Sequence, residues 1–375
     1  MIALARKSLV YEWRRFLPVV FAVGFACLLQ LLQASLVLGI FRSASVQVLG
    51  SSAQLWVGYP GTATVNLGRP IPDGVDALLR MDPAVQRVEP FQWLDGNWRG
   101  AKGNVAVSVS GINPQADGLL YAHVLATAVR TRLREPDSVI VDRADLATLG
   151  VAVGDSASVN GHRVRVVGES RGLRSLSGIN IVASLDTARR LDADAIDANR
   201  PTYLVAQLRD PRNAAVVAAR LCCKATFGPY QVWTASDFAR RSELYWLLDT
   251  GAGAGVLFLA VIVFAAGAAI SSQALMAAVA SSVREYAMLN ALGVGLRSLR
   301  WVVLEQAFWV GAAGLAGAAI LGALLLLIAQ SQDVPIVFNA PVTLTCMLVA
   351  LGVTGISGLA AVRSLRRAEP AALLR

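Results

Sequence analysis

Hydrophobic positions fall into four long blocks, one near the start of the chain and three near its end, separated by a mixed-polarity stretch over residues 42–246. Phe16 to Phe41 holds 26 residues without one charge. About 20 helical residues, each rising 1.5 Å, cross a hydrocarbon core roughly 30 Å thick. The block therefore predicts a transmembrane helix over 16–41. A cleaved signal peptide is the competing reading, but its apolar region spans only about 7–15 residues, so an uncleaved anchor is expected. Residues 247–280 carry only Asp249 near their start, 301–330 carry only Glu305 near theirs, and 341–362 carry no charge. Each predicts a further span. The expected fold class is membrane α-helical, with four transmembrane helices arranged one plus three and a large extracytoplasmic α/β domain inserted between helices 1 and 2.

Inside 42–246 the periodicity shortens. Gln54 to Val57 and Thr62 to Leu67 read as strands, Gly74 to Met81 as a helix stopped by Asp82-Pro83, and Val105 to Ile112 alternates as a strand does. Ser156 to Val159 and Arg163 to Val167 flank Asn160-Gly161, a pair that tolerates positive φ and so predicts a tight hairpin. Tyr203 to Leu208 reads as a strand, Arg212 to Cys223 as a helix and Gln231 to Trp233 as a strand. Thr234 or Ser236 then caps a helix running through Phe238, Leu244 and Trp246. With no proline from Ser236 to Leu257, one unbroken helix into the second span is expected.

Composition agrees with a membrane protein: 55% of residues are hydrophobic and 16% charged, against about 25% charged in soluble domains. Basic residues in short flanking segments set orientation. Arg6, Lys7, Arg14 and Arg15 precede the first span, Arg284, Arg297 and Arg300 lie between the second and third, and Arg363, Arg366, Arg367 and Arg375 follow the fourth. Residues 1–15 (an amphipathic segment), 281–300 and 363–375 are thus expected in the cytoplasm, with both termini inside, and 331–340 as a short periplasmic loop. The 42–246 segment lies on the periplasmic side. Small residues recur in the spans as Gly311, Gly314 and Gly317 and as Gly352, Gly355 and Gly358, a spacing that lets helix backbones approach in lipid. No chain of ionisable residues marks an ion path through the spans. Four spans are also too few to enclose one, so a homodimer is expected.

Candidate chemistry is sparse. Lys7, Lys102 and Lys224 are the only lysines, and none sits in the Gly-rich Lys-Ser/Thr context of a P-loop. Gly168-Glu-Ser-Arg-Gly172 has the form of a nucleophile elbow, but that turn must enter a long helix, and Leu173 to Asn180 is too short and is interrupted by Ser177-Gly178. Gly251-Ala-Gly-Ala-Gly255 follows no strand, so it is not a dinucleotide fingerprint. Cys27 and Cys346 read as packing residues in spans. Cys222 and Cys223 could pair outside the cytoplasm, although on a helix their side chains would diverge. With His123 and His162 they do not make metal spacing. No catalytic residue, cofactor, metal or nucleic-acid partner is expected.

Ser282-Val-Arg-Glu-Tyr-Ala-Met-Leu-Asn-Ala-Leu-Gly293 resembles the cytoplasmic signature between the second and third spans of FtsX/MacB-type (type VII) ABC transporter permeases. The ending Ala361-Val-Arg-Ser-Leu-Arg-Arg-Ala-Glu-Pro-Ala-Ala-Leu-Leu-Arg375 is similar to that family's close. Ala53-Gln-Leu-Trp-Val57 and Asn66-Leu-Gly-Arg-Pro-Ile-Pro72 look like the DevC subgroup. Tyr286 and Asn290 depart from the charged positions of the signature. The resemblance implies a non-catalytic permease working as a homodimer with two copies of a separate ABC ATPase. Arg284, Glu285, Met288, Leu289, Leu292 and Gly293 would receive the ATPase motion, in keeping with the apolar face that Met288, Leu289 and Leu292 give a short helix. It further implies mechanotransmission in the bacterial inner membrane, with a lipophilic or glycolipid-like cargo, a periplasmic membrane-fusion protein and a TolC-like outer-membrane channel. An FtsX-like regulator without transport, or a haem or drug efflux permease, are the alternatives.

Overall fold

The computed structural model describes residues 13–192, 200–223, 228–281 and 296–331, with isolated positions 11, 226, 288, 344, 348 and 352. The principal elements in chain order are α1 (Trp13–Ser43), β1 (Leu55–Gly58), α2 (Val75–Met81), β2 (Val85–Gly100), β3 (Gly103–Ile112), β4 (Ser138–Asp142), β5 (Ser156–Val159), β6 (His162–Ser170), β7 (Ile179–Ser184), α3 (Leu185–Leu191), β8 (Tyr203–Leu208), α4 (Ala214–Leu221), β9 (Gln231–Thr234), α5 (Ala235–Leu244), α6 (Gly251–Ser281) and α7 (Leu296–Ser331). They belong to two compact units, Ile40–Gly253 and the remainder, taken here in turn.

The Ile40–Gly253 unit is organised by β2. Its 16 residues are long enough to serve two sheets. Val85 to Phe91 pairs antiparallel with β8, which pairs with β1, which pairs with β9. Gln92 to Gly100 pairs with β3, while Trp98 and Arg99 also pair with β5. From β3 the hydrogen bonding continues through β7, β4 and β6 to β5, so these six strands form a closed circuit. Closure removes the unpaired edges along which strands aggregate.

Burial explains why β1 does not alternate. All four of its residues are buried because both faces of its sheet are covered, a situation that favours continuous apolar runs. Successive side chains still point to opposite faces. Trp56 joins Phe91, Tyr203, Trp233 and Phe238 on one side, and Leu55 and Val57 join Val75, Leu79, Val217 and Leu221 on the other. A third cluster packs Trp98, Val109, Val139 and Val166 with Ala188 and Leu191 of α3. The 156–167 hairpin forms as expected, with φ of 50° at Asn160 and 85° at Gly161. Asn160 also accepts from the Asn97 N–H at 2.8 Å and donates to the Leu191 carbonyl at 2.9 Å, tying the turn to β2 and α3.

Three expectations fail locally. Thr62 to Leu67 is not a strand. It makes a single 3-10 turn at Val65–Leu67, in which the Thr64 and Val65 carbonyls accept from the Leu67 and Gly68 N–H groups at 3.0 and 3.2 Å, and the Tyr203 hydroxyl holds the turn by donating to the Val65 carbonyl at 2.9 Å. The helix expected over 212–223 starts with a 3-10 turn at Pro211–Asn213 and ends at Leu221. Cys222 and Cys223 therefore leave the helical path, Cys223 at φ 64°, and are joined by a disulfide. The unbroken helix from Ser236 to Leu257 is also absent. After α5 the chain takes a π turn at Tyr245–Asp249, and Thr250 is extended at φ −105° and ψ 142°. Thr250 makes the break: its hydroxyl donates to the Trp246 carbonyl at 2.5 Å and accepts from the Gly253 N–H at 3.2 Å, the N-cap role that opens a new helix. A Cβ on Gly253 would overlap the carbonyl oxygens of Trp246 and Leu247, so this joint needs glycine there.

In the other unit, Phe16–Ser43, Gly251–Ala274 and Phe308–Leu325 are long and apolar enough to cross a membrane. Phe16, Val23, Cys27 and Leu31 of α1 pack with Val310, Leu315 and Ala318 of α7. Gly24 and Gly314 let the backbones meet, since a Cβ on Gly314 would lie 3.0 Å from the Gly24 nitrogen. Gly317 is exposed and meets nothing within 4 Å, so it takes no part in this close approach. The buried Gln30 amide donates to the Phe264 carbonyl at 3.3 Å. The expected fourth span, 341–362, lies outside the described residues except for Leu344, Leu348 and Gly352, each helical.

Candidate functional site

Of the expected coupling residues, Met288 is helical and exposed. Arg284, Glu285, Leu289, Leu292 and Gly293 lie outside the described residues, as do the family-like tail and the loop at 332–340.

The described residues do contain a cavity near the C-terminal end of the Ile40–Gly253 unit. Thr234 ends β9 and caps α5, its hydroxyl oxygen accepting from the Asp237 N–H at 3.1 Å, which settles the choice between Thr234 and Ser236. Below that cap a cavity of about 450 Å³ is lined by Trp233, Arg240, Arg241, Leu244, Tyr245 and Asp249, among others. Trp233 is buried and its indole N–H has no acceptor, an arrangement that leaves a donor's desolvation uncompensated. On the opposite side of α5, the Ser45 hydroxyl donates to Glu243 at 2.8 Å. The stretch following α1 is thereby fastened to the helix that leads toward α6. Sequence reasoning saw Arg240 to Trp246 only as helix. The available signal was a basic pair followed by two aromatics just ahead of an apolar block.

Other polar groups in this unit brace the scaffold. Glu89 on β2 is buried, accepts from the Leu119 N–H at 2.8 Å and the Asn113 amide at 3.3 Å, and pairs with Arg87 at 2.5 Å. Burial nevertheless pushes its carboxyl above the usual range, outweighing those favourable contacts. Arg130, also buried, donates to the carbonyls of Asn113 and Leu120, so two charges hold the 113–121 segment. Burial likewise raises the Tyr121 hydroxyl to about 12, and that hydroxyl meets Ser110 and Asn180, each at 2.9 Å. Asp145 is raised by burial against the opposing pull of Arg174, 2.9 Å away.

The Gly168 to Gly172 motif is not built as an elbow. β6 ends at Ser170, whose hydroxyl donates to the Val124 carbonyl at 3.1 Å, and no helix follows. Among the described residues no group of three or more His, Cys, Asp or Glu could hold a metal.

The profile of the MacB-like periplasmic core domain matches residues 19–221, and that of the FtsX-like permease C-terminal region matches residues 256–370. No curated protein sequence matches. Among solved structures, the periplasmic region of MacB from Actinobacillus actinomycetemcomitans is 14% identical, with a TM-score of 0.37, covering 52% of this chain and 94% of its own. The extracellular domain of the noncanonic ABC-type transporter YknZ from Gram-positive bacteria is 14% identical, with a TM-score of 0.34, covering 48% of this chain and 99% of its own. The MacB-like match alone takes in more than half of the 375 residues, and the FtsX-like match begins in α6 and takes in Ser282 to Gly293. On these matches the chain belongs to the FtsX/MacB-type permeases, the inner-membrane spanning components of ABC transporters that work with an ATPase.

Proposed function

We propose that the chain is the permease subunit of a MacB/DevC-type exporter, a homodimer served by two copies of a separately encoded ATPase. Cytoplasmic ATP hydrolysis moves the spans, and the periplasmic unit responds by driving a lipophilic or amphipathic cargo, glycolipid-like in character, toward a membrane-fusion protein and an outer-membrane channel. Both termini face the cytoplasm. The observation that carries this reading is the FtsX-like match over 256–370, which contains the signature Ser282 to Gly293. Arg284, Glu285, Met288, Leu289, Leu292 and Gly293 take the docking role, and the exposed helical Met288 suits it.

The broken helix changes the expected transmission. A push does not pass along one rigid rod from 236 to 257, because Thr250 interrupts it. Motion is instead shared inside the periplasmic unit through the Ser45–Glu243 hydrogen bond, which couples its two ends. The DevC-like stretch Ala53 to Val57 bears less on function than its sequence implies, since Trp56 is wholly buried and serves packing.

Co-purification with the products of neighbouring genes tests the reading. An ATPase that stays with the chain, with Leu292→Glu abolishing stimulation and export while leaving the dimer intact, is the expected result. ATP hydrolysis by the lone chain, or unchanged export by that variant, would overturn it. A retained peptidoglycan hydrolase in place of a fusion protein would move the assignment to an FtsX-like regulator.

A further inference from the structure

We propose that the cavity at the foot of the periplasmic unit binds the headgroup of an aminophospholipid, phosphate to Arg240 and Arg241 and ammonium to Asp249. This goes beyond the export reading and does not depend on it.

Depth is the first argument. Asp249 stands two residues before the apolar stretch Gly251–Ala274. Two residues of extended chain span at most about 7 Å, so Asp249 itself lies close along the chain to the start of a stretch able to enter the hydrocarbon layer, beside which headgroups lie. Tyr245 and Trp246, adjacent in sequence and in edge-to-face contact at 6.1 Å, are the residues that favour that layer.

The second argument is chemical. Arg240 and Arg241 are exposed and, among the described residues, have no ion-pair or hydrogen-bond partner. Guanidinium groups present planar forks of donors that match phosphate oxygens. Asp237 is already engaged, accepting from the Thr234 hydroxyl at 2.7 Å, whereas Asp249 has no such partner among the described residues. The lining therefore carries both signs, two arginines against two aspartates, and a zwitterionic headgroup answers it better than a purely anionic one. Leu244 and Leu248, both exposed, offer apolar contact to the first carbons of the acyl chains. A headgroup seated here would fasten the joint at Thr250 to the outer leaflet.

The test titrates the detergent-solubilised full chain with dihexanoyl phosphatidylethanolamine and counts adducts by native mass spectrometry. One lipid per chain is expected. The R240Q/R241Q variant should bind about tenfold more weakly, having lost two charge-assisted contacts, with an unchanged melting profile because both side chains are exposed. Dihexanoyl phosphatidylglycerol should bind several-fold more weakly than the ethanolamine lipid, and Asp249→Asn should erase that preference. The proposal is overturned if R240Q/R241Q binds as the parent does, or if R163Q/R165Q on the exposed hairpin loses as much. Equal displacement by inorganic phosphate would also overturn it, since the site would then recognise free phosphate rather than lipid.

Discussion

The two units are held together by different means. In Ile40–Gly253 three apolar clusters lie against the sheets, and large aromatic rings fill one of them: Trp56 contacts Phe91, Tyr203 and Phe238 at 5.6 to 5.8 Å between ring centres. Water expels these side chains, so volume is stabilising and the biggest residues lie deepest. In the membrane unit the outer surface of α6 presents Phe258, Leu259 and Val261 outward. Lipid is as apolar as they are, and no gain follows from hiding them. Cohesion there rests on close approach, at Gly24 and Gly314, and on the Gln30 amide reaching the Phe264 carbonyl. The same hydrophobic residue thus acts as cement in one unit and as solvent-facing surface in the other.

The largest expected effect is at the aromatic cluster. Trp56→Ala removes a fully buried ring and should cost about 3–5 kcal/mol, seen as loss of the periplasmic unit's cooperative melting or of the folded chain altogether. In the membrane unit the opposite change is the damaging one. Gly314→Leu forces a side chain against the backbone at Gly24 and should cost about 1–3 kcal/mol in detergent. Gly317→Leu, into open space, should stay within about 0.5 kcal/mol of the parent. Equal losses from the two would break the contrast. A smaller effect, about 1 kcal/mol, is expected for Thr250→Val, which removes the cap of α6, and hydrogen exchange at the first turn of that helix would register it.

The smallest effect is a pH dependence confined to the periplasmic unit. Because burial raises the folded-state value of Glu89, the folded form binds its proton more tightly than the unfolded chain does. Its contribution to stability falls as pH rises from the ordinary carboxylate value, about 4.3, through the raised folded value, and is level above and below that window. Melting curves of the parent and Glu89→Gln should therefore diverge across the window, the parent losing stability with rising pH relative to the variant. A difference independent of pH would remove the electrostatic account of this buried carboxylate.

Local signals were legible wherever one segment satisfied its own needs. The uncharged run from Phe16 to Phe41, the Asn160-Gly161 turn and the Thr234 cap all depend on residues within a few positions, and each was readable from them. Ser282 to Gly293 was offered by residue pattern alone and, apart from Met288, lies outside the described residues, whereas the Arg240, Tyr245 and Asp249 cavity went unseen, because it exists only after the chain turns at Asp249 and Trp233 is brought beside it from β9.

Sequence by itself determined the layout of spans and intervening domain, because transfer into a hydrocarbon layer is decided by length and charge along one helix, with no partner required. Tertiary structure alone decided that β2 would bridge two sheets, that Thr62 to Leu67 would make a 3-10 turn held by the Tyr203 hydroxyl in place of a strand, and that the helix would break at Thr250 despite lacking proline. In each case the outcome depends on donors and acceptors arriving from elsewhere in the fold: whole strand ladders for β2, single side-chain hydroxyls for the other two. Of the Gly311, Gly314 and Gly317 stripe, spacing announced a capacity for close packing, but only the position of α1 determined that Gly314 would use it.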